Sequence, residues 1–420
     1  MTNAQSSPVA RQISVRSIME AVLRQGSVSR AELARLTGLS KQTTSEVIRA
    51  LEQGGWIRAR GRKQGAVGRS AATYELQDSG AFVLGVDLGG TKIHLALANL
   101  VGGIVAEAVE PTHPQGGLDV VRQIGAMMRR VVAEASVDPG RIRCGAMGSP
   151  GVCQPDSGRI TIAPNILGLD RINVTQALRE RLGFPMAVDN DVNLAAKGEQ
   201  WQGCCRDMGS FAFVALGTGI GMGLMADGRL LRGARGAAGE IAYLPFGGDP
   251  FDSRGYRHGT LESALGSQAI LERYRGFGGE AAQDVRGIFE RLQHDDAAAE
   301  ATLDEVARLL VQALMAVRAV ADPEMIVLGG SIGQRFELIE RVRALVLRYM
   351  ADPLPVVASA LGNRATIIGA IGMALTQLHD ELFGFPGIPS AFALPPVRFD
   401  AAQAEGGQAV PALDAAASLT

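Results

Sequence analysis

Residues 82–100, FVLGVDLGGTKIHLALANL, constrain the fold of this chain more than any other stretch. Two short apolar runs flank a turn, Asp87-Leu88-Gly89-Gly90-Thr91-Lys92. Runs of that length bounded by turn residues read as buried strands. A Gly-Gly turn lets backbone N–H groups face a phosphate, and Thr91 and Lys92 add donors. An Asp at a strand end can hold Mg²⁺ through water. The device recurs twice. Gly217-Thr218-Gly219-Ile220-Gly221 follows the run FAFVAL, and Leu328-Gly329-Gly330-Ser331 follows MIVL and precedes a helical stretch. One Gly-rich turn is weak, since hairpins need Gly anyway. Three at strand ends of one chain are much less expected by chance.

Further apolar strands are predicted at 142–147 and 186–188, with helices over 120–135 and 303–320. Strands alternating with helices indicate an α/β fold. Gly stands at 53 of 420 residues, in keeping with many turns and close backbone approaches. Aromatic residues are only 5%, which disfavours base-stacking platforms for single-stranded nucleic acid. No apolar run reaches the roughly 18 residues of a membrane span. The N-terminus has no apolar signal core. Four cysteines (Cys144, Cys153, Cys204, Cys205) form no CxxC pair and are too few for a disulfide scaffold. They read as reduced thiols in a cytoplasmic protein that does not engage a membrane.

The net charge of −2 hides an asymmetry. Residues 1–80 carry twelve Lys/Arg against six Asp/Glu, whereas the remainder carries 29 against 37. A basic end on an otherwise acidic chain suggests a nucleic-acid-binding portion. A helix is predicted over 15–25. Ser29 caps a second helix with Glu32 at the capping-box position, and Gly38 ends it. Ser40 caps a third, with Val47, Ile48 and Leu51 on one face, stopped by Gly54-Gly55. Short strands at 56–57 and 73–76 flank the basic hairpin RARGRKQGAVGRS. That order is the order of a winged helix-turn-helix. Ser40, Lys41, Gln42, Thr43, Thr44, Ser45 and Arg49 stand where a recognition helix meets double-stranded DNA. Arg58, Arg60, Arg62, Lys63 and Arg69 load the wing for phosphates or a minor groove.

Phosphoryl transfer to an alcohol needs a carboxylate at the acceptor hydroxyl. Asp191, in Val188-Asp189-Asn190-Asp191-Val192-Asn193, fits that role. The alternative for this segment is an Asx-rich cap, with Asp189 or Asn190 capping the helix that follows.

DLGGTK, DNDVN, GTGIG and the Ala-Ala-Gly-Glu that ends at Glu240, taken in order, resemble the ROK family of sugar kinases and sugar-responsive repressors. The winged helix ahead of them resembles the repressor branch. The resemblance spans roughly residues 12–380. It implies a two-lobed actin/hexokinase-like ATPase fold after the winged helix. It implies Mg-ATP at Asp87, Gly89, Gly90, Thr91, Lys92, Gly217, Thr218, Gly219, Gly329, Gly330 and Ser331. It places a sugar at Asn165, Asn190, Asp191, Glu240 and Glu262, with Asp191 as catalytic base, and a symmetric homodimer or homotetramer. Domains are predicted at 15–78 (winged helix) and 81–390 (kinase-like), with loose ends at 1–14 and 391–420.

Many members of the family carry a structural zinc. Its ligand positions fall here on Tyr243, Ser253, Gly255 and Thr260, so no zinc is expected. His258 stands nearby, and one His is not a site. Tyr243 replaces a His that contacts the sugar. It stays a sugar-binding candidate because its hydroxyl can donate one hydrogen bond. Its reach differs, so the sugar's identity does not carry over. The expectation is a transcriptional regulator whose kinase-like cleft senses a sugar or its phosphate. The alternative is an ATP-dependent sugar kinase, since DLGGTK and Asp191 are intact.

Overall fold

The structure, a computed structural model, describes residues 8–64, 70–154, 158–161, 166–253, 258–280, 282–384 and 394. Asn165, Arg69 and the tail beyond Leu394 lie outside the described residues, as do the side chains of Arg62 and Lys63.

The N-terminal part is α1 (Pro8–Gln25), β1 (Val28–Ser29), α2 (Arg30–Thr37), α3 (Lys41–Gln53), β2 (Ile57–Gln64) and β3 (Ser70–Leu76). Helix α1 begins at Pro8, correcting the expectation that residues 8–14 are loose. Proline tolerates the first helical position because no N–H is needed there. A contact remote in sequence also holds this turn: Gln12 Nε2 donates to the Gly384 carbonyl at 2.7 Å. Ser29 Oγ accepts from the Glu32 amide, and Ser40 Oγ accepts from the Thr43 amide. Gly38 takes the left-handed conformation (φ 69°) between α2 and α3, which a side chain would strain. The wing is larger than the two short strands expected. β3 pairs antiparallel with β2 and also takes on β1.

Two five-stranded sheets follow. The first lobe holds β4 (Phe82–Leu88), β5 (Lys92–Asn99), β6 (Ile104–Pro111), α4 (Gly117–Glu134), β7 (Ile142–Ser149), the small pair β8 (Val152–Cys153) and β9 (Ile160–Thr161), α5 (Val174–Leu182), β10 (Met186–Asn190) and α6 (Asp191–Gln202). The second holds β11 (Phe211–Leu216), β12 (Ile220–Ala226), β13 (Arg229–Leu230), α7 (Thr260–Leu265), α8 (Ser267–Gly276), α9 (Val285–Leu292), α10 (Ala297–Ala321), β14 (Met325–Gly329), α11 (Gly330–Gly333), α12 (Phe336–Tyr349) and β15 (Val356–Ala358). Helix α13 (Ala365–Phe383) then returns to the first lobe.

The strand orders are β10-β7-β4-β5-β6 and β13-β12-β11-β14-β15. Each is an antiparallel three-strand meander extended by two parallel strands. The two lobes therefore repeat one topology. A strand buried on both faces reads as an unbroken apolar run, and Phe82–Val86, ahead of Asp87, and Met325–Gly329 are such runs.

Helices α4 and α5 cover one face of the first sheet, while α13 covers the other together with α6. The core under α13 is continuous with that of the winged helix. Ile18, Val22, Ile48 and Tyr74 belong to the same buried cluster as Val83, Ala146, Ile371 and Phe383. Trp56 meets Phe383 edge-on, with ring centroids 5.8 Å apart. α6 and α13 approach until backbones touch. A Cβ on Gly369 would lie 1.8 Å from the Leu194 carbonyl oxygen, and one on Gly198 would lie 2.3 Å from that of Ala365. On its other side α6 meets the second sheet, where a Cβ on Gly223 would lie 2.6 Å from the Val192 carbonyl oxygen. Glycine at these positions brings the lobes together at α6.

Candidate functional site

The cleft is organised by the start of α6. Asn190 is its N-cap, and its Oδ1 accepts from the amides of Val192 (2.9 Å) and Asn193 (3.2 Å). Its Nδ2 donates to the Gly151 carbonyl at 3.1 Å. Both ends of this amide are engaged, so the capping alternative holds for Asn190: it aims the helix. Asp191 is the first helical residue and also accepts from the Val192 amide. Thr366 Oγ1, at the start of α13, donates to its carbonyl at 3.2 Å.

Four carboxylates gather around that helix end. Burial raises Asp191 to about 6 against weaker opposing backbone hydrogen bonds. Asp87, at the end of β4, is raised to about 7 by burial and then by the charge of Asp191, with Lys92 opposing. Glu240 is raised by burial and by the charges of Asp191 and Glu262. Glu262, on α7, is raised by burial, while the Ile220 amide (3.1 Å) and His258 (3.8 Å) oppose. Burial leads in all four, and the charges of Asp191 and Glu262 add to it at Asp87 and Glu240, as expected of groups sharing one desolvated space. Perturbed carboxylates gathered in a cleft are the usual mark of a functional site.

The Gly-rich turns sit as expected at strand ends, with one correction. Gly89 N–H donates to the Lys92 carbonyl and Gly217 N–H to that of Gly219, both at 2.9 Å. These amides close their own hairpins and do not face a ligand. Gly90, Thr91 and Lys92 are exposed. The second and third turns lie together: a Cβ on Gly217 would meet Ser331 Oγ at 3.3 Å. Gly330 has φ 78°, and a Cβ there would lie 2.3 Å from the Leu216 carbonyl oxygen. A Cβ on Gly219 would collide with Glu262 Oε2 at 2.1 Å, tying the Thr218 turn to the acid cluster. Backbone, the Ser331 hydroxyl and the Glu262 carboxylate meet at these turns. Tyr243 is exposed, in a short 3-10 turn that follows Glu240. Among the described residues no group of three or more His, Cys, Asp or Glu is arranged to hold a metal ion.

Three features escaped the sequence reading. Asp189 is buried and pairs with Arg232 at 2.6 Å. As the first residue of DNDVN, Asp189 reads in the sequence only as a candidate cap, and Arg232 carries no signal. Glu199 is buried on α6. It accepts from the Leu361 amide and Ser359 hydroxyl after β15 and from the Cys204 amide, tying the end of α6 to the second sheet. His94, the β5 partner of Asp87, bonds Glu107, which Arg364 grips with two nitrogens at 3.1 and 2.9 Å.

At the N-terminal end, Lys41, Gln42 and Arg49 are exposed on α3, with Ser40 exposed as its cap. Thr43 and Ser45 are half-buried. Thr44 corrects the sequence reading: it is buried, with its hydroxyl on the Ser40 carbonyl, and faces the core. On the wing, Arg58 and Arg60 both pair with Glu75 at 2.9 Å. These guanidiniums are at least half exposed. Such pairs contribute about 0–1 kcal/mol, little enough for a phosphate to displace Glu75.

Fold, cleft and N-terminal helices together define a kinase-like body carrying a DNA-binding module. The ROK family profile matches residues 83–377, and a winged helix-turn-helix DNA-binding profile matches residues 11–58. The chain belongs to the ROK family. It is 24% identical over 389 residues to a xylose repressor of Caldicellulosiruptor bescii, covering 88% of this chain and 96% of that one. It is 32% identical over 331 residues to a glucokinase of Halalkalibacterium halodurans, covering 72% and 98%. Among solved structures, a ROK family transcriptional regulator described as a homologue of the E. coli Mlc protein shares the fold, with a TM-score of 0.70 at 22% identity. That likeness covers 89% of this chain and 98% of that one. Among the described residues no helix is long and apolar enough to cross a membrane.

Proposed function

We propose that the chain is a cytoplasmic, sugar-responsive transcriptional repressor, a homodimer or homotetramer, that binds operator DNA through α3 and the wing. Residues 8–78 form the DNA-binding module and 81–384 the sensing body. Glu240, Glu262 and Asp191 accept hydrogen bonds from adjacent sugar hydroxyls. Asn190 acts by fixing α6. Asn165, outside the described residues, completes the set as the resemblance implies. The observation that carries this reading is the core shared between the winged helix and α13, whose first turn holds the Asp191 carbonyl. A change at the cleft has a packed route to the DNA-binding face. Coupling of this kind is reciprocal: a sugar that weakens operator binding is itself bound more weakly on operator. The test is operator binding, with the DNA taken from beside the gene itself, across a panel of pentoses, hexoses and their phosphates. Salt-sensitive binding weakened by one sugar is expected. Binding indifferent to the whole panel refutes it.

A second reading, sugar phosphorylation, rests on one observation: Asp191 and Asp87 stand together beside the phosphate-motif hairpin. Gly90, Thr91, Lys92, Thr218 and Ser331 would hold Mg-ATP, which supplies the transferable phosphoryl group. Asp191, raised to about 6, is mostly ionised at pH 7 and able to take the hydroxyl proton. ADP release from Mg-ATP that needs sugar, and is lost in Asp191→Asn, supports this reading. No sugar-dependent release refutes it.

A further inference from the structure

Arg232 belongs to no motif, yet it joins the two lobes behind the acid cluster. It follows β13 of the second sheet and reaches Asp189 on β10 of the first, with N···O at 2.6 Å. The two ends of the pair differ. The Asp189 side chain is 7% exposed and that of Arg232 39%. Asp189 divides its oxygens: Oδ2 takes Arg232, while Oδ1 takes the Asn190 amide at 2.9 Å and Asn193 Nδ2 at 3.3 Å. The carboxylate therefore sets the turn that delivers Asn190 and Asp191. Arg232 also shapes the next loop. Its carbonyl accepts from the Ala238 amide at 3.0 Å, two residues before Glu240. Gly239 then passes so close to β12 that a Cβ would lie 2.2 Å from the Met222 carbonyl oxygen. One residue thus grips the first lobe with its head and folds the Glu240 loop with its backbone.

We propose that Arg232 is a positioning residue that latches the Glu240 loop of the second lobe to the start of α6. The latch sets how tightly the cleft holds a polyhydroxylated ligand. Its effect on the ligand rests on the sugar-site reading above; its effect on the two segments does not. A lysine keeps the charge but not the planar guanidinium that reaches Asp189 Oδ2, so it restores only part of the function. Removing the guanidinium takes the one charged hydrogen-bond donor from buried Asp189, leaving the Asn190 and Asn193 amides and the nearby charge of Lys197.

Two readouts on the full chain test this. The first is amide hydrogen exchange without ligand in wild type, Arg232→Met and Arg232→Lys. In Arg232→Met the amides of Ala238 and Ile241, and those of Asn190 and Val192, should exchange at least about tenfold faster, with Arg232→Lys between. Unchanged exchange in both segments overturns the proposal. The second is titration with D-xylose and D-glucose. A Kd raised at least about tenfold in Arg232→Met, and partly recovered in Arg232→Lys, supports it. Equal affinity in wild type and Arg232→Met overturns it. If wild type binds neither sugar, the ligand class of the previous section falls, and exchange alone decides the latch. If Arg232→Met does not fold, Arg232→Lys carries both readouts with smaller changes.

Discussion

Asp191→Asn should make the protein more stable at pH 8 while removing any function that needs the charge. Asp191 titrates near 3.8 when exposed and is raised to about 6 in the folded protein. The folded state thus keeps its proton over a pH range where the unfolded chain has lost it. Ionising the group costs folding free energy progressively as pH rises from about 4 to about 6, and the full cost persists above. Two pKa units correspond to about 3 kcal/mol. Two effects reduce that figure: Asp191 is not fully closed off from solvent, and the positive end of α6 favours an anion by about 0.3–1 kcal/mol. A gain of about 1–2 kcal/mol remains. Asparagine keeps the oxygen that accepts from the Val192 amide, so the helix start is preserved. The assay is thermal unfolding of both proteins at pH 8, 6 and 3.5. The variant should melt a few degrees higher at pH 8, less so at pH 6, and together with wild type at pH 3.5. Asp87 should follow in the same experiment, since losing the Asp191 charge removes one cause of its elevation. A variant less stable at pH 8, or a gain independent of pH, would refute a strained acid cluster.

Gly369→Ala sets two effects against each other. Helix propensity favours alanine by about 0.5–1 kcal/mol, but its Cβ would meet the Leu194 carbonyl oxygen at 1.8 Å. Overpacking of this kind costs about 1–3 kcal/mol or more, so melting should fall; a rise would show that the seam is loose. On the DNA side, Lys41→Ala and Arg49→Ala should each lower the slope of log affinity against log salt by about 1. Thr44→Ala should instead lower the melting temperature and leave that slope alone, because Thr44 faces the core. Trp56→Ala removes the edge-on contact with Phe383, and calorimetry should then show the winged helix melting ahead of the body. A single unshifted transition would count against the shared core.

The parts of the molecule that announce themselves by local rules were legible. Caps at Ser29 and Ser40, the left-handed Gly38 and the three strand-terminal turns each follow from residue type and spacing. What stayed hidden is set by partners far along the chain. Helix α1 starts at Pro8 because Gly384 is there to receive Gln12. Arg232 reads as one more surface arginine until Asp189 is brought to it. Asp189 and Asn190 were equal candidates for the cap of α6, and only hydrogen-bond geometry assigns it to Asn190. Thr44 lies in a polar run of α3, and the helix's rotation about its own axis turns it inward. Gly89 and Gly217 look like phosphate donors in sequence, but their amides are consumed by the hairpins they create.

Helix α13 is made last but completes the first sheet. Its nineteen residues, roughly 28 Å long, cover a face whose strands left the ribosome nearly three hundred residues earlier. Until residue 383 is synthesised, that face has only α6 over part of it and Trp56 lacks its Phe383 partner, so the growing chain holds a partly uncovered apolar surface of the kind chaperones recognise. A chain cut short before residue 365 would keep every residue of its DNA-reading helix and every acid of its cleft, with no strut between them. Reading and sensing thus depend on a helix that carries neither a base-reading side chain nor a cleft acid.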